Sequence, residues 1–488
     1  MNHKWILTSL LAVAVLLAAC KKDPEPPQPG KISIEAGNSA PLEGPRGSNV
    51  DIPLSLLAED GIQSLEVRVN GGPSESIAVN SGATQQSLTY TFSIPPSTIL
   101  NTTFTLEFAL TDANSITQTL SVEIRTSPLI EEPETYAFER NGQSTVSYTG
   151  QTQRMDMLAL IKQNLLSEAD KGNPITEQAL LDAFENTNGN GGGLFPFSTT
   201  KQLKNKTFQP DLDERLFEDL FARAAAASLA ASSGTQAANG TAGLLTREDK
   251  GSTILVDENG REFTQLIEKG LMGAVFYNQI FNVYLSDART GDEVENVALV
   301  EDKNYTPMEH HWDEAFGYWG VPVDFTSPWP QDRADEDRFW GHYSNVVDNV
   351  KNGRLGTNKA IMHAFRKGRT AIVNYDLDGK NAQKDVLYEQ LELVAAAVAV
   401  HYLNLGLKFL NEGKTGETFH VMSEAWAFTN ALRYSPRRKL SLTQIAEIME
   451  SDLGANGNFW NVTPAGLNKA KNTLVLAYPA LAEVKDDL

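Results

Sequence analysis

Leu88-Thr89-Tyr90-Thr91-Phe92-Ser93-Ile94 places an apolar side chain at every second position and a hydroxyl between each pair. Neighbouring side chains of a strand point to opposite faces, so a run of this kind buries one face and wets the other. The pattern recurs on either side of it, at Ile32-Ser33-Ile34, Ser64 to Val69, Phe104 to Leu110 and Thr119 to Ile124. Turn-forming clusters separate the runs: Asn70-Gly71-Gly72-Pro73, Pro95-Pro96 and Thr111-Asp112-Ala113-Asn114. This spacing predicts an immunoglobulin-like antiparallel β-sandwich of about seven strands over residues 31–127.

A Pro-rich acidic stretch, Ser127 to Glu134, ends that region, and beyond Tyr136 the apolar period changes from two to about 3.6. Helices are expected from Arg154 to Ile161, Asp211 to Leu229, Leu271 to Leu285, Asn358 to Ile372, Val386 to Leu410 and Ser441 to Leu453. Residues 136–488 are thus predicted to form an all-α domain of two helical bundles.

Two segments of that domain share a pattern. In Met308-Glu309-His310-His311-Trp312-Asp313-Glu314-Ala315-Phe316 and in Phe419-His420-Val421-Met422-Ser423-Glu424-Ala425-Trp426, aligning His310 with His420 aligns Glu314 with Glu424. Each copy follows a long apolar helix, which suggests a duplicated unit. Residues i and i+4 lie on one helix face, so each copy can present an imidazole beside a carboxylate. Two such helices face to face would offer His310, Glu314, His420 and Glu424 to Zn, Fe or Mn, with His311 and Asp313 as added ligands or as groups that orient them. The other reading is a local His–Glu hydrogen bond that locks each helix to its neighbour. A second cation candidate is Asn374 to Asp385, which approaches an EF-hand Ca²⁺ loop and is otherwise a polar helix–helix turn. Arg366, Lys367 and Arg369 read as a solvated stripe, or else as a basic patch that could receive an anion, and Trp319, Trp329, Trp340 and Tyr343 as core or loop anchors rather than a sugar platform.

His311-Trp312-Asp313-Glu314 resembles the His-x-x-Glu core of the imelysin-like helical lipoproteins. The Glu309 to Tyr318 block, with His363 to Arg369 and His420 to Glu424, is similar to an uncharacterised lipoprotein family associated with them. The resemblance spans about Tyr136 to the C-terminus. It implies an accessory of iron or haem uptake that works with an outer-membrane transporter. The sequence departs from the imelysin motif at Glu309, where that family has Gly.

At the N-terminus, Lys4, an apolar run from Ile6 to Leu17 and Leu17-Ala18-Ala19-Cys20 read as a signal peptide (residues 1–20) ending in a lipobox. Cys20 is the expected lipid anchor and the sole cysteine, so the folded part has neither disulfides nor thiolate ligands. Residues 21–30 form a Pro-rich tether, and the expected location is the outer membrane, on its cell-surface or periplasmic face. A net charge of −21 argues against nucleic acid as a partner. No P-loop, dinucleotide fingerprint, nucleophile elbow or His-Glu-x-x-His is present. The functional expectation is non-enzymatic binding of a metal or metal-bearing ligand. The alternatives are a metal-dependent hydrolase using Glu309 or Asp313 as base, and a surface adhesion or glycan-binding module.

Overall fold

In a computed structural model the chain is described over residues 28–38 and 41–488, and it forms two compact units. The signal peptide, Cys20 and most of the tether lie outside the described residues.

The first unit comprises residues 49–93 and 103–125 with the described part of 1–43. The β region holds eight strands: β1 (Ile32–Ala36), β2 (Leu42–Pro45), β3 (Asn49–Ala58), β4 (Ile62–Val69), β5 (Ser74–Ile77), β6 (Gln85–Ser93), β7 (Thr103–Asp112) and β8 (Thr117–Ser127). They form a three-stranded sheet, β1-β3-β6, and a five-stranded sheet, β2-β8-β7-β4-β5. Alternation decides which face is buried: Val50, Ile52, Leu54 and Leu56 point inward from β3, whereas Asn49, Asp51, Pro53 and Ser55 are exposed. The inner faces interlock through aromatic pairs, Tyr90 edge-on to Phe108 at 5.4 Å and Phe92 against Phe104 at 5.0 Å. The sandwich is as expected, with β2, β3 and β5 added to the five quoted runs; β2 and β5, at four residues each, are too short to show a period.

The second unit comprises residues 126–488 together with 44–48 and 94–102. Two small hairpins, β9 (Glu139–Arg140) with β10 (Gln143–Ser144) and β11 (Gly243–Thr246) with β12 (Thr253–Val256), accompany its helices. In the first half these are α1 (Thr149–Ile161), α2 (Ser167–Asp170), α3 (Glu177–Glu185), α4 (Arg215–Ser232), α5 (Phe263–Leu271) and α6 (Asp287–Thr290). The second half has α7 (Pro307–Trp319), α8 (Trp340–Asp348), α9 (Thr357–Asn374), α10 (Leu377–Asn411), α11 (Thr415–Ala431), α12 (Leu442–Glu447) and α13 (Pro464–Ala477). Wide π-turns carry α5 on to Tyr284. The apolar side chains form one continuous core from Tyr136 to Leu488, in which Trp319, Trp329, Trp340 and Tyr343 are buried as expected. Among the described residues, only α10 is long and apolar enough to cross a membrane, and Leu391 to Val400 are all buried against its neighbours.

Two expectations are corrected. The EF-hand-like stretch is no loop: Asp376 caps α10, accepting from the Gly379 amide at 2.9 Å, and Asp378 and Asp385 lie within the helix. A short acidic side chain two residues after the end of α9 is a strong N-cap, and that preference outweighs the resemblance to a calcium loop. Arg369 is no part of a solvated stripe, being fully buried.

The contact between α7 and α9 is close enough to be tested. A Cβ on Gly368 would stand 2.1 Å from Cζ2 of Trp312, a fully buried ring whose Nε1 donates to the Phe365 carbonyl at 3.0 Å. Gly368→Ala is expected to destabilise the helical unit by about 1–3 kcal/mol through overpacking. A midpoint of urea unfolding equal to that of the parent chain would refute the close approach.

Candidate functional site

Helix α7 begins with a capping box: Thr306 accepts from the Glu309 amide at 3.3 Å while the Glu309 carboxylate takes the Thr306 amide at 2.8 Å. Glu309 and Asp313, one turn apart, then share a face that meets α9. There Arg369 lies 3.1 Å from Glu309 and 3.0 Å from Asp313, and Arg140 donates to Glu309 at 2.8 Å. Tyr136 Oη donates to Asp313 at 2.8 Å. Burial pushes Asp313 up to about 6, with Arg369 opposing it. For Glu309 burial also acts upward, but Arg369 and Arg140 outweigh it and hold its carboxyl below the usual range. Neither acid is poised as a base for bound substrate, because both are sealed into this ion-pair network.

The adjacent face of α7 carries His310 and Glu314, both half-buried. His310 Nε2 stands 3.8 Å from Glu314, and its ring stacks on Tyr305 at 4.4 Å. Glu314 accepts from Gln151 at 2.9 Å and from Tyr284 at 3.2 Å. His311 donates from Nδ1 to the Arg289 carbonyl at 2.8 Å, and the Arg289 guanidinium faces its Nε2 at 3.3 Å. Burial lowers the pKa of both histidines, so they are neutral near pH 7.

Around this face gather Arg154, Lys201, Lys206 and Arg289. Burial lowers the pKa of Lys206, and Arg154, Lys201 and Arg289 add to that while Glu314 opposes it. Among the described residues, none of the four cations is ion-paired with a carboxylate: Arg154, for example, donates to the carbonyls of Gln202 and Gly150. The neighbourhood also holds the half-buried His310, beside the Ser147 backbone, and the buried Tyr318, beside Arg154.

The second pair, on α11, has different neighbours. His420 Nδ1 donates to Glu262 at 2.6 Å, and the interaction raises the histidine's pKa against the pull of burial. Glu424 is buried, 3.9 Å from Lys269, and burial raises its pKa. Behind Glu262 lies Asp170, which accepts from the Leu255 amide and the Thr264 hydroxyl; burial, then Glu262, push it up to about 7.

The structure therefore keeps His310, His311 and Glu314 together on α7 but does not bring His420 and Glu424 to them. Among the described residues no three His, Cys, Asp or Glu side chains gather as a metal-holding group. The free donors themselves argue against a bare divalent cation: Arg289 occupies the Nε2 side of His311, Lys269 faces Glu424, and Glu262 holds His420. What the α7 face offers is positive charge, two neutral imidazoles and one carboxylate, a set that suits an anion with its own hydrogen-bond donor. Arg154 comes from α1, Lys201 and Lys206 from the segment before α4 and Arg289 from α6, and no sequence motif could have linked the three.

A family model for a domain of unknown function (DUF4856) matches residues 133–478. No curated protein matches the chain. The matched span begins within a few residues of the expected start of the helical domain and includes both His–Glu centres and the Arg369 network. The chain belongs to the DUF4856 family.

Proposed function

We propose that this protein is a lipid-anchored extracytoplasmic binding protein whose helical domain holds a small oxyanion-bearing ligand, a carboxylate or phosphate, at the His310–Glu314 face. One observation carries this reading: four cations without carboxylate partners converge on one carboxylate in a chain of net charge −21. Elsewhere the buried cations have carboxylate partners, as Arg369 and Lys269 do. Unpaired cations repel one another, and an arriving anion relieves that repulsion, so the face is preorganised for negative charge. Glu314 would take a hydroxyl or protonated oxygen of the ligand, favouring a hydroxy acid over a fully ionised anion. Anchoring through Cys20 at the outer membrane, as the lipobox implies, would leave this face outside the cytoplasm.

A second reading preserves the metal. His310 Nε2 and Glu314 could complete the coordination of a ferric ion that arrives already chelated by a polycarboxylate, whose outer oxygens the cations would take. The imelysin resemblance and a role beside an outer-membrane transporter belong to this reading.

Calorimetric titration of the full chain with inorganic phosphate, citrate, ferric citrate and Zn²⁺ separates the two. Anion binding that weakens with added salt is expected, and Lys201→Ala combined with Lys206→Ala should reduce affinity about tenfold or more. Ferric citrate binding well above citrate, lost in His310→Ala, would favour the chelate. Equal anion affinity in parent and double variant would sink both readings.

A further inference from the structure

We infer that the β-sandwich carries a self-association edge: β6 of one copy pairs antiparallel with β6 of a second, centred on Thr89. The two-sheet order leaves four edge strands among the described residues, β1, β6, β2 and β5. Sheet edges attract foreign strands, and proteins commonly blunt them by shortness, charge or proline. Three of the four follow that rule. β1 has five residues and Glu35, β2 has four with Glu43 and Pro45, and β5 has four with Glu75. β6 has nine, Gln85-Gln86-Ser87-Leu88-Thr89-Tyr90-Thr91-Phe92-Ser93, with neither charge nor proline.

The hydrogen-bond phase of this strand is fixed by its ends. Ala58 donates to the Thr84 carbonyl and Ile94 to the Ser48 carbonyl, both at 2.9 Å, within the register that pairs Leu54 with Leu88. Bonding alternates along an antiparallel ladder, so the even-numbered residues of β6 bond to β3. The odd-numbered residues Gln85, Ser87, Thr89, Thr91 and Ser93 therefore turn their N–H and C=O groups to the open side. Their side chains are all exposed.

A two-fold axis through Thr89 places Thr89 opposite its own copy, Ser87 opposite Thr91 and Gln85 opposite Ser93. On the inner side Leu88 meets Tyr90 and Gln86 meets Phe92. Every outward N–H and C=O then finds a partner, hydroxyl residues face hydroxyl residues, and no like charges are opposed. This self-complementarity is what a two-fold interface requires and what a strand of unrelated sequence would lack. The occupant that fits is thus a second copy. Anchoring on one membrane would favour the pairing by raising the local concentration.

The full chain in proteoliposomes provides the test. Thr89→Cys should form a disulfide-linked dimer under mild oxidation, since residues opposed in a bonded pair lie about 5.5 Å apart. Gln85→Cys, which faces Ser93, should not rise above the level of the parent chain. Thr89→Lys brings two ammonium groups together at the axis and should weaken dimerisation, read by sedimentation in detergent, about tenfold. Because Thr89 is exposed and bonds to nothing inside its own sheet, all three variants should retain the parent's thermal midpoint. Equal cross-linking at positions 85 and 89, or a Thr89→Lys chain that dimerises like the parent, would overturn the pairing.

Discussion

Replacing Arg369 by Met is expected to cost about 3–5 kcal/mol of unfolding free energy, the loss typical when one partner of a buried ion pair is removed. The guanidinium is fully buried and serves two carboxylates, Glu309 and Asp313. Glu309 would keep Arg140 and the Thr306 amide. Asp313 would keep only the neutral donors Tyr136 and Ser147, so it takes most of the penalty. It has an escape, because a carboxyl already raised to about 6 can protonate when its cation is gone. Methionine fills the volume of the lost stem, which separates the charge effect from a cavity. The deficit should therefore be larger at pH 8 than at pH 5, since each proton Asp313 binds in the folded state is lost as pH rises. Lys367→Met, two residues away and exposed, should stay within about 0.5 kcal/mol of the parent. Urea unfolding of both variants at the two pH values decides the matter. Similar small losses for Arg369 and Lys367 would show that the network contributes little.

That pair of residues also shows how far the sequence could be read. The periods of two and 3.6 reveal which region is strand and which is helix, because burial of a face repeats with the geometry of the element. They locate α1, α4, α9 and α10 to within a few residues, apart from the first turns of α10. Period alone does not say which polar residues are buried. Arg366, Lys367 and Arg369 look alike as a basic stripe, yet only Arg369 lies on the α9 face turned toward α7. Finding it required knowing that Glu309 and Asp313 stand across from it.

The His–Glu motif illustrates the same limit. Spacing by four correctly places His310 near Glu314, a contact within one helix. Whether two such helices meet is a property of tertiary packing. Here α11 lies against α5, so His420 reaches Glu262 at the helix entrance rather than a carboxylate on α7. The cations of the α7 face come from α1, from the segment before α4 and from α6, each unremarkable in its own stretch. Their convergence follows from how the α1 and α5 segments pack on α7, as Gln151 and Tyr284 at Glu314 attest.

Stability should peak on the acid side of neutrality, and Asp170→Asn should remove much of that slope. Asp170 has its folded pKa raised from the ordinary value of 3.8 to about 7, by burial first and then by Glu262. A carboxyl raised in this way binds more protons folded than unfolded, so its contribution is fully present below about pH 4 and is lost as pH climbs toward 7. Three units correspond to about 4 kcal/mol as an upper bound, with coupling to Glu262 and His420 reducing what one substitution recovers. His420, whose folded pKa is also raised, acts in the same sense from about pH 6.5 upward. Glu309 and Glu268, held low by their basic neighbours, act oppositely, but their gain is complete above about pH 4.5. Asparagine can still accept from the Leu255 amide, and its NH₂ can donate to Thr264 or Glu262. The variant should thus match the parent near pH 5 and exceed it by about 1–2.5 kcal/mol at pH 8. Chemical denaturation of parent and variant across pH 5 to 8 measures the slope. Parallel profiles, or an Asn variant weaker at pH 8 than the parent, would mean that Asp170 is ionised in the folded protein and held by its hydrogen bonds.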